Sequence, residues 1–246
     1  MTTLPLDGRV ALVTGGARRI GRSVALRLAA DGADIVFSYR RSRAEADSLV
    51  REITALGRAV QAQEADVTRR DDVLRVVEAA GKMRGRLDIL VNNVGMFTGK
   101  PFEQISEDDW DTMMSTNLKS QFLAAQAAAP LLRASGRGSI VNFASLGGLL
   151  AWPKHVHYCV SKAGVIMLTR CLSRALAPEI RVNAVAPGTI SFPDDAPELA
   201  EDFIRRAPLA RTGRPEDIAG AVSYLTQADF VTGQILVVDG GRSVVA

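Results

Sequence analysis

Tyr158 and Lys162 stand four residues apart in a stretch of helical periodicity, which places both side chains on one helix face. A phenol with an unperturbed pKa of about 10 is a poor proton donor or acceptor near neutrality, and a neighbouring ammonium favours its phenolate. The pair therefore predicts acid-base chemistry on an oxygen atom. Ser145 lies upstream, just past a β-branched apolar run, so its hydroxyl falls at the same sheet edge, where it would hold a carbonyl oxygen and stabilise charge developing there during hydride transfer. Singly, these residues also fit a surface helix pair and a loop or capping serine.

Hydride chemistry needs a carrier. The first apolar run ends in Thr14-Gly15-Gly16-Ala17-Arg18-Arg19-Ile20-Gly21 and passes directly into a helix. Glycine lets backbone approach a pyrophosphate, and the helix N-terminus presents free N–H groups and a positive dipole end to it. The second apolar run ends in Tyr39-Arg40-Arg41-Ser42, not in the Asp or Glu that binds ribose hydroxyls in NAD-binding folds, and Asp34 begins that run at the wrong edge of the sheet. Planar arginine forks suit a 2′-phosphate, with Arg18 or Arg19 closing on it from the other side, so NADPH is expected over NADH. His155 and His157 have no second cluster of ligands nearby, and no metal is expected.

These groups need a scaffold that gathers them at one edge. Strands are expected at Val10 to Val13, Asp34 to Tyr39, Ala59 to Gln63, Ile89 to Val91, Ser139 to Phe143, Val182 to Ala186 and Ile235 to Val238. Helices are expected at Arg22 to Asp31, Ala44 to Ala55, Asp71 to Met83, Asp108 to Leu132, Val156 to Ala177 and Glu216 to Leu225. The alternation predicts an α/β, Rossmann-type, doubly wound seven-stranded parallel sheet with helices on both faces. One stretch breaks the rhythm, Gly188 to Ala207, rich in proline and acid with a short helical candidate at Leu199 to Arg206. Its place beside the crevice predicts a substrate lid.

The 246 residues, 47% of them hydrophobic, suit one domain over 1–246. A net charge of +3, mixed along the chain, argues against nucleic acid as a partner. Met1 to Gly8 lacks the pattern of a signal peptide and no apolar run reaches membrane-spanning length, so a cytoplasmic protein acting on a small-molecule substrate is expected. Cys159 and Cys171 are too far apart on one helix to form a disulfide.

With the Thr14 to Gly21 turn, Asn92-Asn93-Val94-Gly95, Asn117, Ser145, Tyr158-x-x-x-Lys162 and Pro187-Gly188 in order, nearly the whole chain resembles the short-chain dehydrogenase/reductase family. The resemblance implies Tyr158 as general acid or base, Lys162 on the nicotinamide ribose and lowering the tyrosine pKa, Ser145 positioning substrate, and Asn117 completing a water-linked proton relay. It also implies cofactor contacts from Gly15, Ile20, Asn93, Gly95, Pro187, Gly188 and Ile190, an adenine contact at Asp66-Val67, a closing strand at Val238-Asp239-Gly240-Gly241, and a homotetramer packed through the helices at Asp108 and Val156. Two positions depart from the family pattern: Arg19, where glycine or alanine is usual, and Val94 for alanine. Arg19, Tyr39-Arg40-Arg41-Ser42, Ala44-Glu45-Ala46 and Asp194-Asp195-x-Pro197 resemble the pteridine reductase branch, which stacks a pterin on an aromatic side chain where Phe97 falls, although Ser145 stands where its best-known members have aspartate. The lid and C-terminal half resemble bacterial 3-oxoacyl-carrier-protein reductases. A pterin or dihydropterin is the first expected substrate, a 3-oxoacyl thioester or small ketone the second, with a non-catalytic dinucleotide sensor, and an epimerase or dehydratase, as rivals.

Overall fold

The computed structural model describes residues 4–195 and 198–245; Met1 to Thr3 and the Pro197 of the acidic motif lie outside the described residues. Its seven strands are β1 (Val10–Val13), β2 (Asp34–Tyr39), β3 (Val60–Glu64), β4 (Ile89–Asn92), β5 (Gly138–Phe143), β6 (Ile180–Pro187) and β7 (Ile235–Val238). They form one parallel sheet in the order β3-β2-β1-β4-β5-β6-β7. Parallel neighbours need crossover helices, and those helices shield the sheet from water on both sides. Hence β1, β2, β4 and β5 are buried along their whole lengths.

Helices α1 (Arg19–Ala30), α2 (Arg43–Ala55) and α8 (Pro215–Gln227) pack on one face, where Leu28, Leu49, Ile53 and Val222 meet Ile35, Phe37 and Val185. Helices α3 (Arg70–Lys82) and α5 (Ser120–Ala134) cover the other, burying Val73, Val76, Ala128 and Leu132 on Leu12, Leu90 and Ile140. Beside them α6 (Val156–Ala175) sets Val165 and Ile166 on Ala184 and Ala186. Each fully buried aliphatic side chain contributes about 1.5–3 kcal/mol, so the three-layer core fixes the strand ends rigidly. Strand order reverses between β1 and β4, and the crevice that carries ligands in such sheets opens there.

Several boundaries differ from expectation. Helix α1 starts at Arg19, not Arg22, with Arg18 still extended (φ −136°). The helix expected from Asp108 to Leu132 is three pieces: α4 (Glu107–Met114), a wide π turn over Ser115–Lys119, and α5. Strand β3 sits one residue later than expected, and α6 stops at Ala175. The expected lid is partly helical: α7 (Glu198–Arg206) buries Phe203, with Ala207, against Leu146 and partly buried Trp152. Among the described residues, no helix is long and apolar enough to cross a membrane.

Candidate active site

The glycine-rich turn is built for close approach. Gly15 takes φ +65°, a region that disfavours side chains, and donates its N–H to Ser38 Oγ at 3.0 Å. A Cβ on Gly21 would stand 2.3 Å from the Gly15 carbonyl and 2.5 Å from Asn93 Nδ2. Asn93 needs that space, since its amide donates to the Thr14 and Gly15 carbonyls at 3.0 and 3.1 Å and ties the exit of β4 to the turn. The first turn of α1 carries no acidic residue, which leaves its positive end free for an anion. These features fit a dinucleotide pyrophosphate.

A cleft of about 460 Å³ runs from this turn past Asn93, Val94 and Gly95 to Ser145, Tyr158 and Lys162, with Pro187, Gly188 and Ile190 on its far wall. A smaller hollow of about 130 Å³ continues it over Tyr39, Arg40, Asp66 and Val67, sharing Gly15 and Val94 with the cleft. The two meet across the β1–β4 reversal and hold most of the expected dinucleotide contacts, although Arg41 and Ser42 line neither. Ser38, Ala65, Thr68 and Thr116 line the hollow and Phe192 the cleft without having been expected. Ser38, Ala65 and Thr68 were signalled only by their place at or just beyond the ends of β2 and β3.

The arginines divide their tasks differently from expectation. Arg18 pairs with Glu45 at 3.4 Å and Arg40 with Asp66 at 3.3 Å, while Arg41 has no ion pair among the described residues. Burial would raise the Asp66 carboxyl, but hydrogen bonds from the Thr68 N–H and hydroxyl, with Arg40 nearby, hold it below the usual carboxylate range. Its oxygens are thus already engaged at the expected adenine site. Arg19 lines the cleft. It takes φ +51°, pairs with Asp194 and Asp195, and lies 4.4 Å over the Phe192 ring, which fastens the lid to the dinucleotide turn.

At the other end of the cleft, Tyr158 and Lys162 project from α6 on one face, both buried. Burial pushes the Tyr158 phenol up to about 12, and interaction with the Ser145 hydroxyl works in the opposite direction. Burial pulls Lys162 down to about 8. The expected lowering of the tyrosine by the lysine is therefore not the dominant effect in this structure: Lys162 Nζ lies 6.0 Å from the Tyr158 ring centre and donates to the Phe143 carbonyl at 2.8 Å. Ser145 Oγ accepts from the Gly147 N–H at 3.1 Å, which fixes the hydroxyl at the end of β5. Tyr158 is thus a neutral phenol near pH 7, suited to donating a proton.

Asn117 lies in the π turn, which turns its side chain inward. Its Oδ1 accepts from the Met96 N–H at 2.7 Å, and its Nδ2 reaches the Met96 carbonyl and Ser161 Oγ, both at 3.0 Å. It therefore braces the loop after β4 against α6, a mechanical task beside the relay expected of it. Phe97, on that loop, is 58% exposed at the cleft, stacks on His155 (4.5 Å, 16°) and meets Tyr158 edge-on at 4.8 Å. His155 covers one of the two faces expected to stack on a ligand.

Comparison with known proteins agrees with this geometry. A family model described as enoyl-(acyl carrier protein) reductase matches residues 15–243. The 3-oxoacyl-[acyl-carrier-protein] reductase FabG of Thermotoga maritima is 39% identical over 242 residues, covering 96% of this chain and 98% of its own length. A short-chain dehydrogenase/reductase from Serratia marcescens BCRC 10948 superposes with a TM-score of 0.93 at 37% identity, covering 97% of this chain and 99% of that one. A 7α-hydroxysteroid dehydrogenase complexed with NADH and 7-oxo glycochenodeoxycholic acid superposes at 0.91 with 33% identity, covering 97% and 96%.

Proposed function

The chain belongs to the short-chain dehydrogenase/reductase family, and from that premise we propose that it is an NADPH-dependent reductase of 3-oxoacyl thioesters. It is an oxidoreductase that uses a nicotinamide cofactor. The observation that carries the substrate is the match over almost its full length to 3-oxoacyl-[acyl-carrier-protein] reductases, with Ser145, Tyr158 and Lys162 all facing one cleft. This reverses the order expected from Arg19 and Phe97. The relatives favour a thioester over a pterin, Arg19 holds the lid, and Phe97 has one face on His155.

When bound, the reduced nicotinamide supplies a hydride to the substrate carbon. Gly15, Asn93 and the start of α1 would hold its pyrophosphate, and Lys162 its ribose. Ser145 hydrogen-bonds the substrate carbonyl oxygen and Tyr158 gives it a proton as charge develops there. For the 2′-phosphate, support comes from Arg41, which has no ion pair among the described residues, and from the lack of an acid at the end of β2. Arg41→Ala should weaken NADPH binding more than NADH binding. The free cysteines fit a reducing cytoplasm.

The experiment is NADPH oxidation by the purified protein against acetoacetyl and crotonyl thioesters, dihydrobiopterin, dihydrofolate and simple ketones. Turnover confined to the acetoacetyl thioester is expected. Preference for a pterin or for the enoyl thioester would replace this reading, and silence across the panel with NADPH bound would favour a sensor.

A further inference from the structure

Phe143 ends β5 and its carbonyl is the acceptor for Lys162 Nζ, at 2.8 Å. The same oxygen accepts a second donor, Gln121 Nε2, at 3.2 Å. Gln121 stands in the first turn of α5, just past the π turn, and is 1% exposed. Its Nε2 also donates to the Asn117 backbone carbonyl at 2.9 Å. Two carbonyl oxygens demand an amide NH₂, so these contacts fix which end of the side chain is nitrogen. Both donors of this buried amide are thus spent on the backbone of the site it adjoins.

We propose that Gln121 is a positioning residue that clamps the Phe143 carbonyl and so fixes where the Lys162 ammonium rests. This deepens the reductase reading and rests on it. The clamp links the π turn to β5 through one side chain, so Asn117, Gln121 and Lys162 share a continuous set of hydrogen bonds. Gln121 also takes up a lone pair of the Asn117 carbonyl.

The clamp has an electrostatic sign. Gln121 aims the positive end of its N–H dipole at the oxygen that holds the ammonium, and two donors on one acceptor weaken each other. It thereby disfavours the charged lysine. The groups facing Lys162 are otherwise neutral: the Phe143 carbonyl from β5, Gly95 from the loop after β4, Asn117 from the π turn, and the protonated Tyr158 on α6 itself. Replacing the amide by a thioether of similar volume should raise the Lys162 titration.

Lysine labelled with nitrogen-15 makes this visible in the whole protein, because Lys162 is buried and Lys82, Lys100, Lys119 and Lys154 are exposed. Gln121→Met is expected to move the Lys162 titration upward by about half a pH unit or more. An unchanged titration in a variant that melts like the wild type overturns the proposal. Should that variant not fold, the wild type suffices: both Gln121 amide protons should be strongly protected from exchange, and exchange at the rate of a surface amide overturns the clamp. Neither readout uses substrate. A protein inert towards every thioester would therefore sink the substrate reading and leave this one standing.

Discussion

At the scale of single residues, the site depends on two buried groups whose charges are set by burial. Tyr158 is held as a phenol, so removing its hydroxyl removes the proton donor and leaves the fold intact. Tyr158→Phe should lower kcat by a factor of about 10² or more, with NADPH binding measured by fluorescence within about twofold of wild type. Activity within about threefold would end the acid role. Lys162 offers a test through stability. Its folded pKa is depressed from 10.5 to about 8, so between those values the unfolded chain binds more protons and stability rises with pH. Tyr158 acts in the opposite sense, since its folded pKa lies above its unfolded one and stability falls between about 10 and 12. Lys162→Met should therefore be more stable than wild type at pH 7, by an amount on the order of 1–3 kcal/mol, and lose that advantage by about pH 10. Urea melts at pH 7 and 9.5 decide it; equal gaps at both would show that the lysine titrates normally. The four-residue spacing was legible in the sequence. The direction of both pKa shifts was not, because burial depends on the packing of α6 against β5, which spacing does not specify.

At the scale of elements, the strands and their sheet were legible because apolar β-branched runs bounded by turn residues leave few alternatives. The glycine turn was legible for the same reason, as a local signal in a local context. What escaped depends on distant partners. Arg19 is legible as part of a dinucleotide turn, but its partners Asp194 and Asp195 are brought to it only by the lid. The π turn escaped because apolar periodicity runs through Ser115–Lys119 with little change, and the extra residue per turn leaves no mark in composition. Yet that turn places both Asn117 and Gln121. The turn between β1 and α1 makes the sharpest element-scale prediction, because a methyl group at Gly21 would overlap the Gly15 carbonyl. Gly21→Ala should weaken NADPH binding at least tenfold, by displacing Asn93 and the helix start together. Titration of NADPH fluorescence checks it, and wild-type affinity would mean that the turn yields without harm to the cofactor.

At the scale of the whole molecule, two sets of exposed apolar side chains bear on assembly. Trp110, Phe122, Val160 and Met167 lie along the adjacent helices α4, α5 and α6. Tyr224, Phe230 and Val244 flank the C-terminal edge, where β7 is paired on one side only, with β6. Side chains as apolar as a fully exposed Phe230 are unfavourable in water when gathered into patches, and a bare sheet edge invites pairing. One self-complementary patch makes a two-fold dimer, while two on separate faces make a tetramer with two-fold axes through both. The tetramer expected from family resemblance would cover both sets, with α5 and α6 in one interface and α8 with the β7 edge in the other. Light scattering after gel filtration should then give four times the 26.3 kDa chain mass. Phe122→Glu with Met167→Glu should halve that mass, and Tyr224→Glu with Phe230→Glu should halve it independently, because each pair removes one interface and leaves the other. The α6 pair should also lower kcat, since the helix that loses its packing carries Tyr158 and Lys162. The Tyr224 and Phe230 pair, on α8 and the loop after it, should leave kcat within about twofold. A wild-type monomer would refute the arrangement, and a tetramer that survives both pairs would place its contacts elsewhere on the surface.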